Sequence, residues 1–215
     1  TITGEEVEPT DAGAVREAVE QMLAEGVEAF AVSGYGSVHN PTHEQQVREV
    51  VRSVCDLPIV CGHELSGKLN FIRRAHTAVL NARLIPIIDE LLQAVEQVLK
   101  RYHVRAPIFI VRGDGTLIEM SVARERAIET ILSGPAASAI GAQFLTGKDD
   151  IIAVDIGGTT TDVAIVEGGR VAVCDRGAVV GPWQTSVTAA DIQTTGLGGD
   201  SYVRVYDGGL KVSVG

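Results

Sequence analysis

Two aspartates frame a turn rich in glycine and threonine, and their spacing is suited to phosphate chemistry. Residues 151–166 are IIAVDIGGTTTDVAIV, so Asp155 lies near the end of one apolar β-run and Asp162 begins the next. Glycines let a backbone approach a ligand closely, and successive amides bind anions without a lysine. A carboxylate at a strand end can hold Mg²⁺ through its waters. The spacing predicts a phosphate-binding β-hairpin, with a ligand-free glycine turn as the alternative.

The residue types of this hairpin favour phosphoryl transfer over acyl-enzyme chemistry. Phosphoryl transfer requires positioning and charge neutralisation more than a nucleophilic side chain. We expect Asp155 to act at the Mg²⁺ as its ligand and Asp162 to orient the hairpin or assist at the phosphate. The expected phosphate-binding residues are Gly157, Gly158, Thr159, Thr160 and Thr161. The sequence shows no Ser-His-Asp or Cys-His pairing and no GxSxG elbow, so a covalent acyl-enzyme is not expected.

Three other segments carry weaker signals. The second glycine-rich turn, GLGGDS, fits a backbone approach to adenosine or ribose, or a turn without ligand; its candidate residues are Gly196, Gly198, Gly199, Asp200 and Ser201. The helix start at 133–136 could face an anion or simply pack through its small residues. His39 and His43, beside Glu44, could bind a metal, although helix capping and solvation also explain them.

Hydrophobic periodicity predicts an α/β protein. Helices are expected at 12–25 and 43–54, each followed by a short strand, as in a layer with a mostly parallel sheet. A long helix, broken or kinked near Pro86, should follow. The other expected elements are a strand at 107–111, a helix capped by Ser121 over 122–131, a helix from 133, β-runs at 151–156, 162–166 and 170–174, and a hairpin around 207–209.

Composition excludes several classes of protein. The 215 residues carry 18 basic and 28 acidic side chains, a net charge of −10, which argues against a nucleic-acid-binding domain. No run of about 18 apolar residues and no signal peptide is present, so we expect a cytoplasmic protein without a membrane partner. The three cysteines, Cys55, Cys61 and Cys174, lack the spacing of a disulfide framework, a zinc ribbon or an iron–sulfur site.

Several spaced segments resemble one family. They are GVEAFAVSGYGSVHNPTHEQQV, TAVLNARLIPII, TILSGPAASAIGA, DIGGTTTDVAIVEGG and TTGLGGDS, in this order. The hairpin is similar to that of the actin-like, sugar-kinase and heat-shock-chaperone ATPases. Within that superfamily the chain most resembles the A-type polypeptides of the hydantoinase/oxoprolinase family.

The resemblance implies an ATP-dependent enzyme that phosphorylates, and so activates, a cyclic amide, or a ketone in carboxylase members. ATP and Mg²⁺ are the implied cofactors, and a separate hydrolytic subunit is a possible partner. The implied fold is a partial ribonuclease-H-like actin/chaperone ATPase fold. Residues 1–70 would be the later part of one lobe, 71–104 a helical connector, and 105–215 an incomplete second lobe with the hairpin.

Family members of this type carry a first phosphate hairpin that this sequence lacks. We therefore expect the sequence to be an internal fragment, inactive or nearly so when isolated. Two other functions stay open at this point: a non-catalytic ATPase-fold reactivase or activator of a partner enzyme, and a sugar-type kinase. The missing close cysteines count against an iron–sulfur activator.

Overall fold

The computed structural model describes residues 1–209 and 211–214. The chain forms two compact units that are discontinuous in sequence. Unit 1 is Thr1–Ile110, Ile118–Glu129 and Arg176–Val187; unit 2 is Val111–Leu117, Thr130–Asp175 and Thr188–Gly215. The residues of the expected connector lie in unit 1, and the division into two lobes joined by a connector stays a prediction. In the described part of the chain, no helix has the length and apolarity needed to cross a membrane.

Helices and strands alternate at the start of the chain, and strands predominate after residue 150. The helices are α1 (Ala12–Ala24), α2 (Thr42–Arg52), α3 (Gly62–Leu65), α4 (Phe71–Arg101), α5 (Met120–Glu125) and α6 (Ser133–Thr146), with 3₁₀ turns at Ala127–Thr130 and Asp207–Gly209. The strands are β1 (Phe30–Val32), β2 (Ile59–Cys61), β3 (Phe109–Val111), β4 (Leu117–Glu119), β5 (Ile151–Ile156), β6 (Thr161–Glu167), β7 (Arg170–Val171), β8 (Val179–Val180), β9 (Trp183–Gln184), β10 (Ile192–Thr195), β11 (Val203–Tyr206) and β12 (Lys211–Val214).

In unit 1, a parallel strand pair packs with helices around a small apolar core. Strands β1 and β2 are parallel, with Val32 opposite Cys61 at their carboxyl ends. Val19 of α1, Phe30 of β1 and Val51 of α2 form the buried centre. The predicted helix–strand–helix–strand order is therefore confirmed, and the parallel pairing brings the loops after β1 and β2 to the same end.

Helix α4 runs continuously through Pro86, so of the two predicted alternatives the break is wrong and the kink stays a prediction. Proline removes one backbone hydrogen bond and crowds the preceding turn. Buried residues lie on both sides of it, including Ala82 and Leu92, and their packing holds the helix together. The helix begins where the Asn70 side chain accepts a hydrogen bond from the Arg73 amide.

The helix predicted over 122–131 is shorter than expected. Helix α5 starts after Glu119 rather than at a Ser121 cap, and a 3₁₀ turn replaces its second half. The buried side chain of Asn81 donates to the Glu125 carbonyl (2.8 Å) and accepts from the Ile128 amide (2.9 Å). These backbone groups bond to α4 instead of continuing their own helix, which explains the early end.

Unit 2 contains an antiparallel sheet covered on one face by α6. Strand β6 lies between β5 on one side and β10 and β7 on the other. The buried contacts between α6 and the sheet involve Ala136, Ala139, Ala164 and Val166. Small side chains on both surfaces let the helix lie close to the sheet. The predicted hairpin around 207–209 is confirmed, because β11 pairs with β12 there.

Candidate functional site

Strands β5 and β6 form the predicted hairpin, with the two aspartates opposite each other. Asp155 is the direct antiparallel partner of Asp162. Direct cross-strand partners project from the same face of a sheet with Cβ atoms about 5 Å apart. Both aspartates line a cavity of about 380 Å³ together with Pro135 and Ser138 of α6. Two like charges this close repel each other, and a divalent cation between them would relieve that repulsion.

Each carboxylate accepts a hydrogen bond from a hydroxyl group that sequence reasoning missed. Ser138 Oγ of α6 donates to Asp155 Oδ2 at 2.7 Å. Thr194 Oγ1 of β10 donates to Asp162 Oδ1 at 2.5 Å. A serine within the otherwise apolar face of α6 was a signal in the sequence. The pairing of Thr194 with Asp162 depends on strand register, which the sequence does not reveal.

The tip of the hairpin carries backbone amides without a partner in the described protein. The Gly157 amide closes the turn on the Thr160 carbonyl at 2.9 Å. In the structure of residues 1–209 and 211–214, the next three amides, those of Gly158, Thr159 and Thr160, donate to no protein acceptor. Consecutive free amides bind an anion where their N–H groups converge on it. Thr161 differs from the others, because its hydroxyl donates to the Leu197 carbonyl at 2.6 Å.

The second glycine-rich turn packs directly on the first. The Gly199 amide donates to the Gly157 carbonyl (2.9 Å) and the Asp200 amide to the Gly158 carbonyl (2.7 Å). The Gly198 amide donates to Ser201 Oγ at 3.0 Å. These three amides are therefore hydrogen-bonded within the protein. Those of Gly199 and Asp200 attach the second turn to the hairpin. Contact of Gly196, Gly198, Gly199, Asp200 or Ser201 with a nucleotide stays a prediction.

The structure does not bring His39 and His43 together with Glu44. His43 is exposed and its Nε2 lies 3.3 Å from Glu6. Glu44 is buried and its carboxylate lies instead against His63, with 2.6 Å between Glu44 Oε2 and His63 Nδ1. These two residues are 19 positions apart on different elements, and no spacing rule connects them. The sequence alone gave no indication of this pairing.

Glu44 is held as a carboxylate by four hydrogen bonds. Its Oε1 accepts from the Gly34 amide (2.7 Å) and Ser37 Oγ (2.5 Å); its Oε2 accepts from the His63 amide (3.0 Å) and ring. Burial by itself would raise the pKa of Glu44, but the hydrogen bonds from His63, Ser37 and Gly34 outweigh it and lower that pKa below its usual range. Arg74, also buried, donates to the Gly34 carbonyl at 2.6 Å and adds a positive charge nearby.

Family comparison accounts for most of the chain. The sequence profile described as "Hydantoinase/oxoprolinase" matches residues 74–215, and the one described as "Hydantoinase/oxoprolinase N-terminal region" matches residues 1–55. The chain belongs to the hydantoinase/oxoprolinase family. The predicted resemblance is thereby confirmed.

Family relatives with assigned names include enzymes of two kinds. The chain is 30% identical over 211 residues to the alpha chain of the caprolactamase of Pseudomonas jessenii, covering 96% of this chain and 30% of that protein. It is 28% identical to the gamma chain of the acetophenone carboxylase of Aromatoleum aromaticum, covering 99% of this chain and 30% of that protein. It is also 28% identical to the 5-oxoprolinase of Saccharomyces cerevisiae, covering 96% of this chain and 16% of that protein. The chain thus spans less than a third of these family members.

Solved structures of the family show the same α/β fold. The crystal structure of the ATP-dependent caprolactamase from Pseudomonas jessenii superposes with a TM-score of 0.82 at 31% identity, covering 95% of this chain and 30% of that chain. The nucleotide-free structure of acetone carboxylase superposes with a TM-score of 0.79 at 22% identity, covering all of this chain and 31% of that one. The predicted α/β fold class is confirmed at this level.

Proposed function

We propose that the chain is the part of an ATP-dependent hydantoinase/oxoprolinase-type enzyme that binds nucleotide and takes part in phosphorylating a cyclic amide. The observation that carries the proposal is the facing pair of Asp155 and Asp162 beneath a tip with three free amides. A cation binds to carboxylates and a phosphate binds to amides, so the hairpin offers the two halves of a Mg²⁺–nucleotide site.

The residues of the hairpin have distinct roles in this proposal. Asp155 would hold Mg²⁺ through its waters, and the Ser138 hydroxyl fixes the carboxylate for that purpose. Asp162, fixed by Thr194, orients the hairpin or assists at the phosphate. The amides of Gly158, Thr159 and Thr160 would bind phosphate oxygens. Mg²⁺, when bound, neutralises charge on the phosphates during transfer.

The names of the relatives support a small substrate and an enzyme of several polypeptides. Caprolactamase and 5-oxoprolinase are named for cyclic amides, whereas acetophenone carboxylase is named for a ketone. We favour the cyclic amide because the caprolactamase is the relative with the greater identity among these three. The same proposal includes a hydrolytic partner protein, a cytoplasmic location, and a ribonuclease-H-like fold of two lobes with a helical connector.

Nucleotide binding by the full-length protein tests the proposal. We would titrate the protein with ATP in the presence and absence of Mg²⁺ by calorimetry, for the wild type, Asp155→Asn and Asp149→Asn. Loss of an oriented outer ligand lowers metal affinity by about 10- to 100-fold, so Asp155→Asn should lose the Mg²⁺-dependent part of binding. Asp149→Asn makes the same charge change just before β5 and should bind as the wild type does. Equal affinity in all three proteins would overturn the assignment.

A further inference from the structure

A cavity of about 570 Å³ lies within unit 1 and shares no residue with the phosphate hairpin. Its walls include the apolar side chains of Ile59 in β2, Leu65 in α3 and Ile85 in α4. Pockets for small ligands usually measure about 300–1,000 Å³ and combine apolar walls with a few polar groups. The charged residues of the lining are four arginines and two glutamates, namely Arg48, Arg52, Glu64, Arg124, Glu125 and Arg126.

Three of the four arginines are already paired with acids of the protein. Arg48 Nη2 lies 2.6 Å from Glu64 Oε2, which neutralises one arginine and one glutamate of the lining. The other two arginines bind acids outside the lining: Arg124 binds Asp89 and Glu96, and Arg126 binds Glu129. These ion pairs account for three of the guanidinium groups and for Glu64.

Arg52 and Glu125 remain as two opposite charges without a partner. In the part of the chain that the structure describes, neither side chain makes a hydrogen bond or an ion pair. Both residues are exposed and line the same cavity, yet they do not pair with each other. A bound molecule that carries one charge of each sign can contact both. The cavity thus offers an anion-binding group, a cation-binding group and apolar walls.

Separate elements bring these two residues to the cavity. Arg52 ends α2, one turn after Arg48, so the two arginines lie on the same side of that helix. Glu125 ends α5, where its carbonyl accepts a hydrogen bond from the buried Asn81 side chain at 2.8 Å. The backbone is therefore fixed at the end of each helix, and the exposed side chains are free to adjust to a ligand.

We propose, building on the function proposed above, that this cavity binds the ring-opened product of a cyclic amide, an amino acid with a hydrocarbon chain between its carboxylate and its ammonium group. When the ring amide is hydrolysed, its C–N bond breaks and a C–O bond to the water oxygen forms. The carbonyl carbon becomes a carboxylate, and the nitrogen takes both water protons to become an ammonium group. The amide group of the intact ring carries neither charge, so the cavity distinguishes the product from the substrate.

Each part of the cavity binds one part of this product. The planar guanidinium of Arg52 donates parallel hydrogen bonds to the carboxylate. The carboxylate of Glu125 accepts hydrogen bonds from the ammonium group. The apolar walls contact the hydrocarbon chain, and its removal from water adds to the affinity. Tight binding therefore requires both charges on one molecule.

Calorimetric titration of the full-length protein without ATP tests the assignment. The probes are 6-aminohexanoate and glutamate, the ring-opened forms of caprolactam and 5-oxoproline. Each is compared with analogues that lack the newly formed ammonium or carboxylate: hexanoate and hexylamine for the first, glutarate and 2-aminobutanoate for the second. One of the two amino acids should bind at least about 10-fold more tightly than either of its analogues, because each analogue loses hydrogen bonds to a charged group.

Substitutions at the two charged residues show which end of the product each one binds. Arg52→Gln should weaken binding of the amino acid at least about 10-fold and leave the analogue without the new carboxylate unaffected. Glu125→Gln should weaken the amino acid equally and leave the analogue without the ammonium group unaffected. A residue with a merely structural role would weaken all ligands alike. Arg83→Gln and Glu90→Gln change exposed residues of α4 outside this lining and should bind as the wild type does.

Three outcomes would overturn the inference. They are no binding of either amino acid, an analogue that binds as tightly as its amino acid, and a control variant that loses as much affinity as Arg52→Gln or Glu125→Gln. None of these outcomes affects the proposed function, since ATP and Mg²⁺ are absent from the titration. Equal ATP affinity of the wild type and Asp155→Asn would instead overturn the proposed function, whatever the amino acids do.

Discussion

Asp155 and Asp162 are direct partners across the antiparallel pair of β5 and β6, and each carboxylate accepts a hydrogen bond from a hydroxyl of another element. The sheet thus holds two like charges side by side on one face. Such an arrangement is unfavourable for the fold alone, since like charges directly opposite on neighbouring strands are destabilising. The proposed Mg²⁺ site would account for it.

The facing carboxylates should cost stability in the absence of metal. Asp155→Asn or Asp162→Asn removes the repulsion while keeping an oxygen for the Ser138 or Thr194 hydroxyl. Each should raise the free energy of unfolding by about 0.2–1 kcal/mol in EDTA, and the double variant should add little more. Urea unfolding of the four proteins measures this. A loss of stability in both single variants would contradict the repulsion.

Ser138 should matter to the site and little to the helix that carries it. Ser138→Ala removes the exposed hydrogen bond that orients the Asp155 carboxylate, and loss of such an orienting partner typically costs about 10- to 100-fold in metal affinity. We expect weaker Mg²⁺-dependent ATP binding with a melting temperature close to that of the wild type. Thr146→Ala is the matched control, because its hydroxyl bonds only to carbonyls of its own helix α6. Calorimetric affinity that falls equally in both variants would count against a role for Ser138.

Contact between the two glycine-rich turns should tolerate no side chain at Gly198. A Cβ there would lie 2.4 Å from the Gly158 carbonyl oxygen, whereas a Cβ at Gly196 would meet nothing within 4 Å. Gly198→Ala should therefore cost about 1–3 kcal/mol of stability and weaken ATP binding, because the hairpin tip must shift. Gly196→Ala should leave the stability unchanged. Thermal unfolding with and without Mg²⁺-ATP measures the difference, and equal behaviour of the two variants would disprove the close packing.

Stability of the protein should depend on Glu44 in acid. Its pKa is lowered in the folded state, so its contribution is complete above the unfolded-state pKa and is lost as pH falls through the folded-state pKa. Glu44→Gln should be less stable at pH 7 by about 1–3 kcal/mol and should lose less stability below pH 5 than the wild type does. Glu6→Gln, an exposed glutamate, is the control and should follow the wild type. The midpoint of urea unfolding, measured for the three proteins between pH 7 and pH 4, tests this prediction. Parallel plots of midpoint against pH for all three proteins would refute it.

Local patterns in the sequence were enough for most elements near the site. Asp11 caps α1 through its carboxylate, and Gly26 follows that helix with a φ of +83°. The apolar runs around GGTTT became β5 and β6, because alternation and glycine turns act over a few residues. A break at Pro86 and a helix cap at Ser121 did not form, since packing of α4 and the hydrogen bonds of Asn81 act from distant parts of the chain.

The sequence by itself determined the α/β class, the family and the β-hairpin with its two aspartates, because these depend on short motifs and on the periodicity of apolar residues. Tertiary structure alone decided which side chains contact each other, at the hairpin and elsewhere. Ser138 reaches Asp155 across 17 positions, Thr194 reaches Asp162 across 32, and Glu44 reaches His63 across 19. Such pairs form only when separate elements pack in a fixed register, and no spacing within one element encodes that register.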